Sequence, residues 1–321
     1  FKRRYFSRSR CMLRFKIYSF LFVIVLGFCS WGFHAHKTIH KHAIYTLPSG
    51  MSHFFQTHSL ELEERSVAAD KRRYIDNKEA CKHYIDIDLY GSSPFDSVPK
   101  NWFLAKEKYS EDTLKNRGIL PWSIHWEYKK LVWAMDSGSV EQVIRHAADL
   151  GHYVSDACVP LHTSYNYNGQ FTDQKGIHAL WESRIPEAFS ADYEYFIGKS
   201  VYLQNSLSYS WELIEESFSL LDSTLNLEEK ISTHYIEDTK FRMSAKNGQI
   251  QADYTTEFIS DYNTILNGMV ERRLQRAILA VGSFWYSAWI DAGQPDLSRL
   301  PSKTENLHRS NKKYIPNRIH E

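Results

Sequence analysis

Apolar residues along this chain recur at the spacing of helices rather than of strands. Val140, Val143, Ile144, Ala147, Gly151 and Val154 form one stripe, which predicts a helix with a single buried face. Gly138 and Ser139 open it, Ser139 with Gln142 reads as a capping box, and Pro160 is expected to end it. A second long pattern over 254–291 turns Phe284, Trp285 and Trp289 inward and stops at Gly293 and Pro295. Further helices are expected over 36–45, 102–108, 122–135 and 206–221. Period-2 alternation is scarce, and no fixed repeat or low-complexity linker interrupts the pattern. The expectation is therefore an all-α protein, a single multi-helix domain over 31–297. Segments 86–99 and 163–176, rich in Gly, Pro, Asn and Tyr, read as loops. From 298 to 321 the chain turns polar and basic and is expected to form a loose tail.

Composition agrees with this picture: 43% hydrophobic and 15% aromatic content in 321 residues can bury a large core. Residues 1–30 stand apart. Arg14 and Lys16 precede an apolar run over 20–28 that is short for a membrane span and suits a secretory signal. An uncleaved anchor is the competing reading. Cleavage before Trp31 would send the protein to the periplasm or the medium. It would also remove seven basic and no acidic residues, taking the formal charge from +1 to −6. That gives no support for a strongly basic nucleic-acid groove, although 15 histidines would turn the protein positive in mild acid. Cys81 and Cys158 remain after cleavage, and in an oxidising compartment a disulfide and two buried thiols are both open to them.

The chemistry concentrates in the middle of the chain. His152 and Asp156 are four apart on the predicted helix, so both project from one face. His162 follows just beyond Pro160, and His178 with Glu182 repeats the four-residue spacing after the second loop. Imidazole nitrogens and carboxylate oxygens are natural zinc ligands where thiolates are lacking. A single such pair is commonplace on helix surfaces. Two pairs with a histidine between them point to metal.

The run His152-Tyr-Val-Ser-Asp156-Ala-Cys-Val-Pro160-Leu-His162, followed by His178-Ala-Leu-Trp-Glu182, resembles the metal motif of bacterial zinc-dependent phospholipases C and the related single-strand-specific zinc nucleases. The resemblance implies their all-α fold and a site for three zinc ions. It continues upstream with Trp31, whose freed amino group and carbonyl would bind metal, and with His36, near which His34, His40 and His42 also stand. Asp70 and His83 follow in the family's order. So read, one zinc takes Asp70, His83, His152 and Asp156, another takes His162, His178 and Glu182, and a third takes Trp31, His36 and Asp156. The likeness covers 31–182; the rest of the chain contributes only helices.

The same resemblance implies phosphodiester hydrolysis, with Asp70 orienting or deprotonating water and Arg73 neutralising phosphate, a role for which Arg72 and Lys71 compete. Tyr84 and Asp86 fall where the nucleases hold a base, and where a phospholipase could hold a cationic head group. Tyr165, Asn166, Tyr167 and Asn168, in the loop between ligands, are further candidates for the substrate wall. Ala69-Asp70, Glu182 and the short gap from His162 to His178 favour a phospholipase. Trp31-Gly32, His36, Arg73 and the Tyr84 and Asp86 pair favour a nuclease. Phospholipid is the expected substrate and single-stranded nucleic acid the alternative, with transient contact at a membrane surface and no stable protein partner. An exported zinc-binding protein without catalysis is the remaining reading.

Overall fold

A computed structural model describes residues 32–246 and 249–301. The leader, Trp31 and residues 302–321 of the expected tail lie outside them. The described chain is mostly helical, with one two-stranded antiparallel sheet. Among the described residues no helix is long and apolar enough to cross a membrane.

The Val140–Asp156 helix is the axis of the fold. Ser139 Oγ accepts from the Gln142 amide and the Gln142 side chain accepts from the Ser139 amide, so the capping box forms as the sequence predicts. From His146 to Asp156 every residue is buried. The apolar stripe alone does not foretell this; it follows because the Phe33–Ala43, Ser59–Arg65, Leu120–Ser137 and Met269–Asp291 helices pack around it. Gly151 permits the closest of these approaches, since a Cβ there would lie 2.4 Å from His40 Nε2. Trp285 locks the far side: its ring stacks on Phe55 with centroids 4.9 Å apart, and its Nε1 donates to the Ala147 carbonyl at 3.0 Å.

Several predicted helices appear with shifted ends. The 36–45 expectation becomes Phe33–Ala43 and a 3-10 turn, Ile44–Thr46; 102–108 becomes Trp102–Tyr109, capped by Asn101; 122–135 becomes Leu120–Ser137. The 206–221 helix ends at Phe218, and a separate Leu221–Ser232 helix follows. The single helix expected over 254–291 is wrong. Tyr254 closes a strand, and the remainder splits into Thr256–Ile265 and Met269–Asp291. Asn267 and Gly268 adopt φ of 49° and 72°, and two left-handed residues in succession cannot continue a right-handed helix. The loop expected over 86–99 contains a 3-10 turn, Ile87–Tyr90, and a short helix, Pro94–Ser97. The hairpin of Phe241–Lys246 with Gln249–Tyr254 was not anticipated. Leu300, at the start of the expected tail, packs on the core beside Leu297, and the Pro301 carbonyl accepts from Val140.

Apolar side chains gather into two clusters. The larger surrounds the Val140–Asp156 helix; the smaller holds Val159, Leu161, Ile177, Leu180 and Trp181 against Tyr254, Phe258 and Tyr262. Cys81 and Cys158 are both free, which decides between the two states the sequence left open.

Candidate metal centre

Six separate stretches of chain bring eight histidines and carboxylates together. His36 comes from the Phe33–Ala43 helix, Asp70 from Ala68–Arg72, and His83 from the turn after Ala80–Lys82. His152 and Asp156 close the central helix. His162 sits in the 3-10 turn that Pro160 begins, and His178 and Glu182 sit where the Ile177–Ala179 helix widens into a π turn, Leu180–Arg184. Such widened turns occur often at functional sites.

Donor atoms converge in overlapping groups: His36 lies within reach of Asp70 and His152, and three further groups form. In one, His83 Nδ1 lies 3.0 Å from both Asp156 Oδ2 and His152 Nε2, with Asp70 Oδ1 at 3.8 and 3.7 Å from the two rings. In a second, His162 Nε2 and His178 Nε2 are 3.2 Å apart and lie 3.2 and 2.7 Å from Glu182 Oε2. In the third, His36 Nε2 lies 3.4 Å from Asp156 Oδ1 and 3.5 Å from Glu182 Oε1. Adjacent donors around a tetrahedral zinc, bound at about 2.0–2.1 Å, stand roughly 3.3 Å apart, so these spacings fit a metal.

Proton placement makes the same point. His152 Nδ1 is 2.7 Å from the Ser66 carbonyl and His162 Nδ1 is 2.5 Å from the His83 carbonyl. A carbonyl only accepts, so both Nδ1 atoms carry protons and both Nε2 atoms face inward. Burial drives His152 down to about 3. Burial also opposes the His162 cation, yet Asp156 and Glu182 outweigh it and hold that ring up at about 9. Asp156 and Glu182 stay below the usual carboxylate range despite their burial, because histidines face them on every side.

The other nearby histidines point elsewhere. His34 bonds Ser190 Oγ, His40 sits between the carbonyls of His36 and Ala148, and His42 stacks on Tyr195. Only His36 of the four enters the cluster, its ring stacked on His152 at 4.0 Å. Gly32 reaches the third group: a Cβ there would lie 2.8 Å from Glu182 Oε1, and its φ of 85° suits glycine. Trp31, the remaining expected ligand, lies outside the described residues.

A cleft of about 290 Å³ opens over Asp70, Asp156, His162, His178 and Glu182. Arg73 lines it and its Nη1 stands 3.5 Å from Asp70 Oδ1. The competing cations are engaged elsewhere: Arg72 reaches back to Asp149 and Glu79, and Lys71 lies over the Phe33 ring. Phe33, Tyr74, Tyr167 and Asn168 complete the walls. Tyr167 and Asn168 belong to the loop expected as a substrate wall, whereas Phe33 and Tyr74 were not singled out by sequence; only the nearness of Tyr74 to Asp70 in the chain hinted at it. Tyr165 and Asn166 are not among the lining residues. The Tyr165 ring stacks on Phe171, and the Asn166 side chain bonds Thr172 and the Phe171 amide to shape the loop.

Tyr84 and Asp86 do not line the cleft either. Asp86 is 5% exposed, and burial beside Asp88 pushes its carboxyl up to about 7. A carboxyl whose folded pKa is raised favours folding while protonated, and that advantage is lost as pH climbs through about 7. Asp86→Asn should therefore stabilise the protein above pH 7 by up to about 4 kcal/mol, with a smaller gain at pH 5. Urea unfolding of both proteins across this range measures the gap; a pH-independent difference would refute it.

The chain matches no protein-family model, and a comparison with curated proteins finds no match.

Proposed function

We propose that this protein is a zinc-dependent phosphodiester hydrolase, all-α and of the phospholipase C and zinc nuclease type, that releases a phosphorylated head group from phospholipid. The observation that carries the reading is the convergence of the three donor groups at metal-like spacing beneath an open cleft. His83, His152 and Asp156 with Asp70 would hold one ion, His162, His178 and Glu182 a second, and His36 with Asp156 and Trp31 a third. Zinc would supply a Lewis acid and make water reactive near neutral pH.

The chain's own groups suit the rest of the chemistry. Asp70, 20% exposed at its side chain, is the carboxylate that opens most freely to the cleft and can take a proton from water. Arg73 beside it offers charge to a phosphate. Asp70→Asn should lower turnover by about 10²–10⁴-fold while zinc content largely persists. Unchanged turnover would remove Asp70 from the reaction.

A closed structural zinc protein is the less suitable reading, because His178 and Asp70 face solvent through the cleft and structural zinc is usually sealed by four protein ligands. Between the two substrates, the apolar surroundings favour lipid. The loop that gives Tyr167 to the cleft also carries exposed Tyr165 and Phe171, and Tyr74 is followed by Ile75, which is 87% exposed. An aliphatic side chain offers no stacking face to a base. Mature, zinc-loaded protein assayed against phosphatidylcholine and single-stranded DNA, with chelated protein as control, tests the choice. Head-group release is expected. Nucleotide release alone would turn the reading to a nuclease, and silence on both would leave no support for hydrolysis of either substrate.

A further inference from the structure

We propose that Glu79 is the positioning residue for His83, its carboxylate accepting a hydrogen bond from the Nε2–H of that ring when Nδ1 binds metal. The inference rests on the metal reading above. His83 turns Nδ1 inward to Asp156 and His152, while its Nε2 is buried and has no hydrogen-bond partner. Glu79 Oε1, four residues earlier in the chain, lies 3.8 Å from that nitrogen. An imidazole that gives one lone pair to a metal carries its proton on the other nitrogen, and a carboxylate set against that proton fixes the tautomer and strengthens the donor.

Glu79 is built to stay there. It is 1% exposed and takes hydrogen bonds from the Tyr153 hydroxyl, from Arg72 Nη2 at 3.1 Å and from Lys82 Nζ at 2.6 Å. Arg72 is itself tied to Asp149 at 3.0 Å, and the Tyr153 ring meets His83 edge-on at 5.4 Å. Burial raises the cost of this carboxylate's charge, and Arg72, Lys82 and the Tyr153 hydroxyl offset it. His152 and His162 rest their outward nitrogens on peptide carbonyls. His83 faces a carboxylate instead, which makes it the most strongly polarised of the three rings.

The test uses the full mature chain loaded with zinc, its Glu79→Gln variant and a Tyr153→Phe variant that loosens Glu79 without touching His83. Competition with a chelator should show one ion held about 10–100-fold more weakly in Glu79→Gln, the others unmoved, and a smaller loss of that same ion in Tyr153→Phe. In proton NMR the low-field Nε2–H signal of His83 should move upfield in Glu79→Gln. If that variant does not fold, Tyr153→Phe carries both measurements. Unchanged zinc affinities in a parent that binds zinc would overturn this inference alone. So would equal weakening of every ion alongside a less stable metal-free protein, which would make Glu79 merely a counter-charge for Arg72 and Lys82. A parent that binds no zinc would overturn the metal reading as well.

Discussion

Asp156→Asn is expected to cut hydrolysis by about 10³–10⁴-fold and to leave the protein short of two ions. The reason is the placement of its two oxygens: Oδ2 serves His83 and His152, while Oδ1 serves His36 on the opposite side. An asparagine keeps the volume and one acceptor, so the helix end should survive, but its amide nitrogen presents protons where a cation would sit. Losing the Lewis acid from two positions removes several kcal/mol of transition-state stabilisation, and each 1.4 kcal/mol is about tenfold in rate. The variant's zinc content and kcat/KM should be measured together. Loss of one ion only would confine Asp156 to a single group and contradict the bridging arrangement. By comparison, Glu182→Gln should first weaken the ion at His162 and His178, since those rings lie nearer Glu182 than His36 does.

The spacing of these ligands was legible in the sequence because a helix converts a four-residue interval into a shared face. His152 with Asp156, and His178 with Glu182, needed only that rule. Asp70, His83 and His36 are different: they come from distant segments, and no local periodicity places them against the central helix. They entered through family resemblance, and the structure brings them together beside the central helix. Glu79 had no signal beyond its place four before His83, because its role depends on tertiary neighbours, Arg72 and Tyr153, that sequence order does not reveal.

The misread elements have physical causes of the same kind. Asn267-Gly268 is a turn dipeptide, yet the apolar spacing on either side hides the break if periodicity alone is followed. In the hairpin, Phe241, Met243 and Ala245 alternate with polar residues, and Asn247-Gly248 stands in the sequence between the strands, a strong hairpin signal. Six-residue alternation is short, however, and is easily lost between long helical patterns. Conversely, the burial of the central helix on all sides past His146 reflects packing by four other helices, which overrides any amphipathic pattern.

Removing the metal is expected to cost the protein most of its stability. The side chains of His36, His83, His152 and Asp156 are each 3% exposed or less, and an ionised carboxylate out of water costs several kcal/mol unless charge and hydrogen bonds answer it. Histidines answer part of it, but neutral His152 supplies no charge. A cation bound at a thousand times its Kd adds about 4 kcal/mol. Three such ions would contribute about 12 kcal/mol, comparable with the 5–15 kcal/mol that holds a typical domain. At about 2–4 °C per kcal/mol, chelation should lower Tm by 20 °C or more, and zinc added back should restore it. Acid should act in the same direction, because ligands must lose their protons to bind metal: below the range where these histidines are neutral, ions leave and the melting point falls toward that of the chelated protein. Identical melts for zinc-loaded and verified metal-free protein at neutral pH would refute this, and would mean that the buried carboxylates are balanced by the histidines alone.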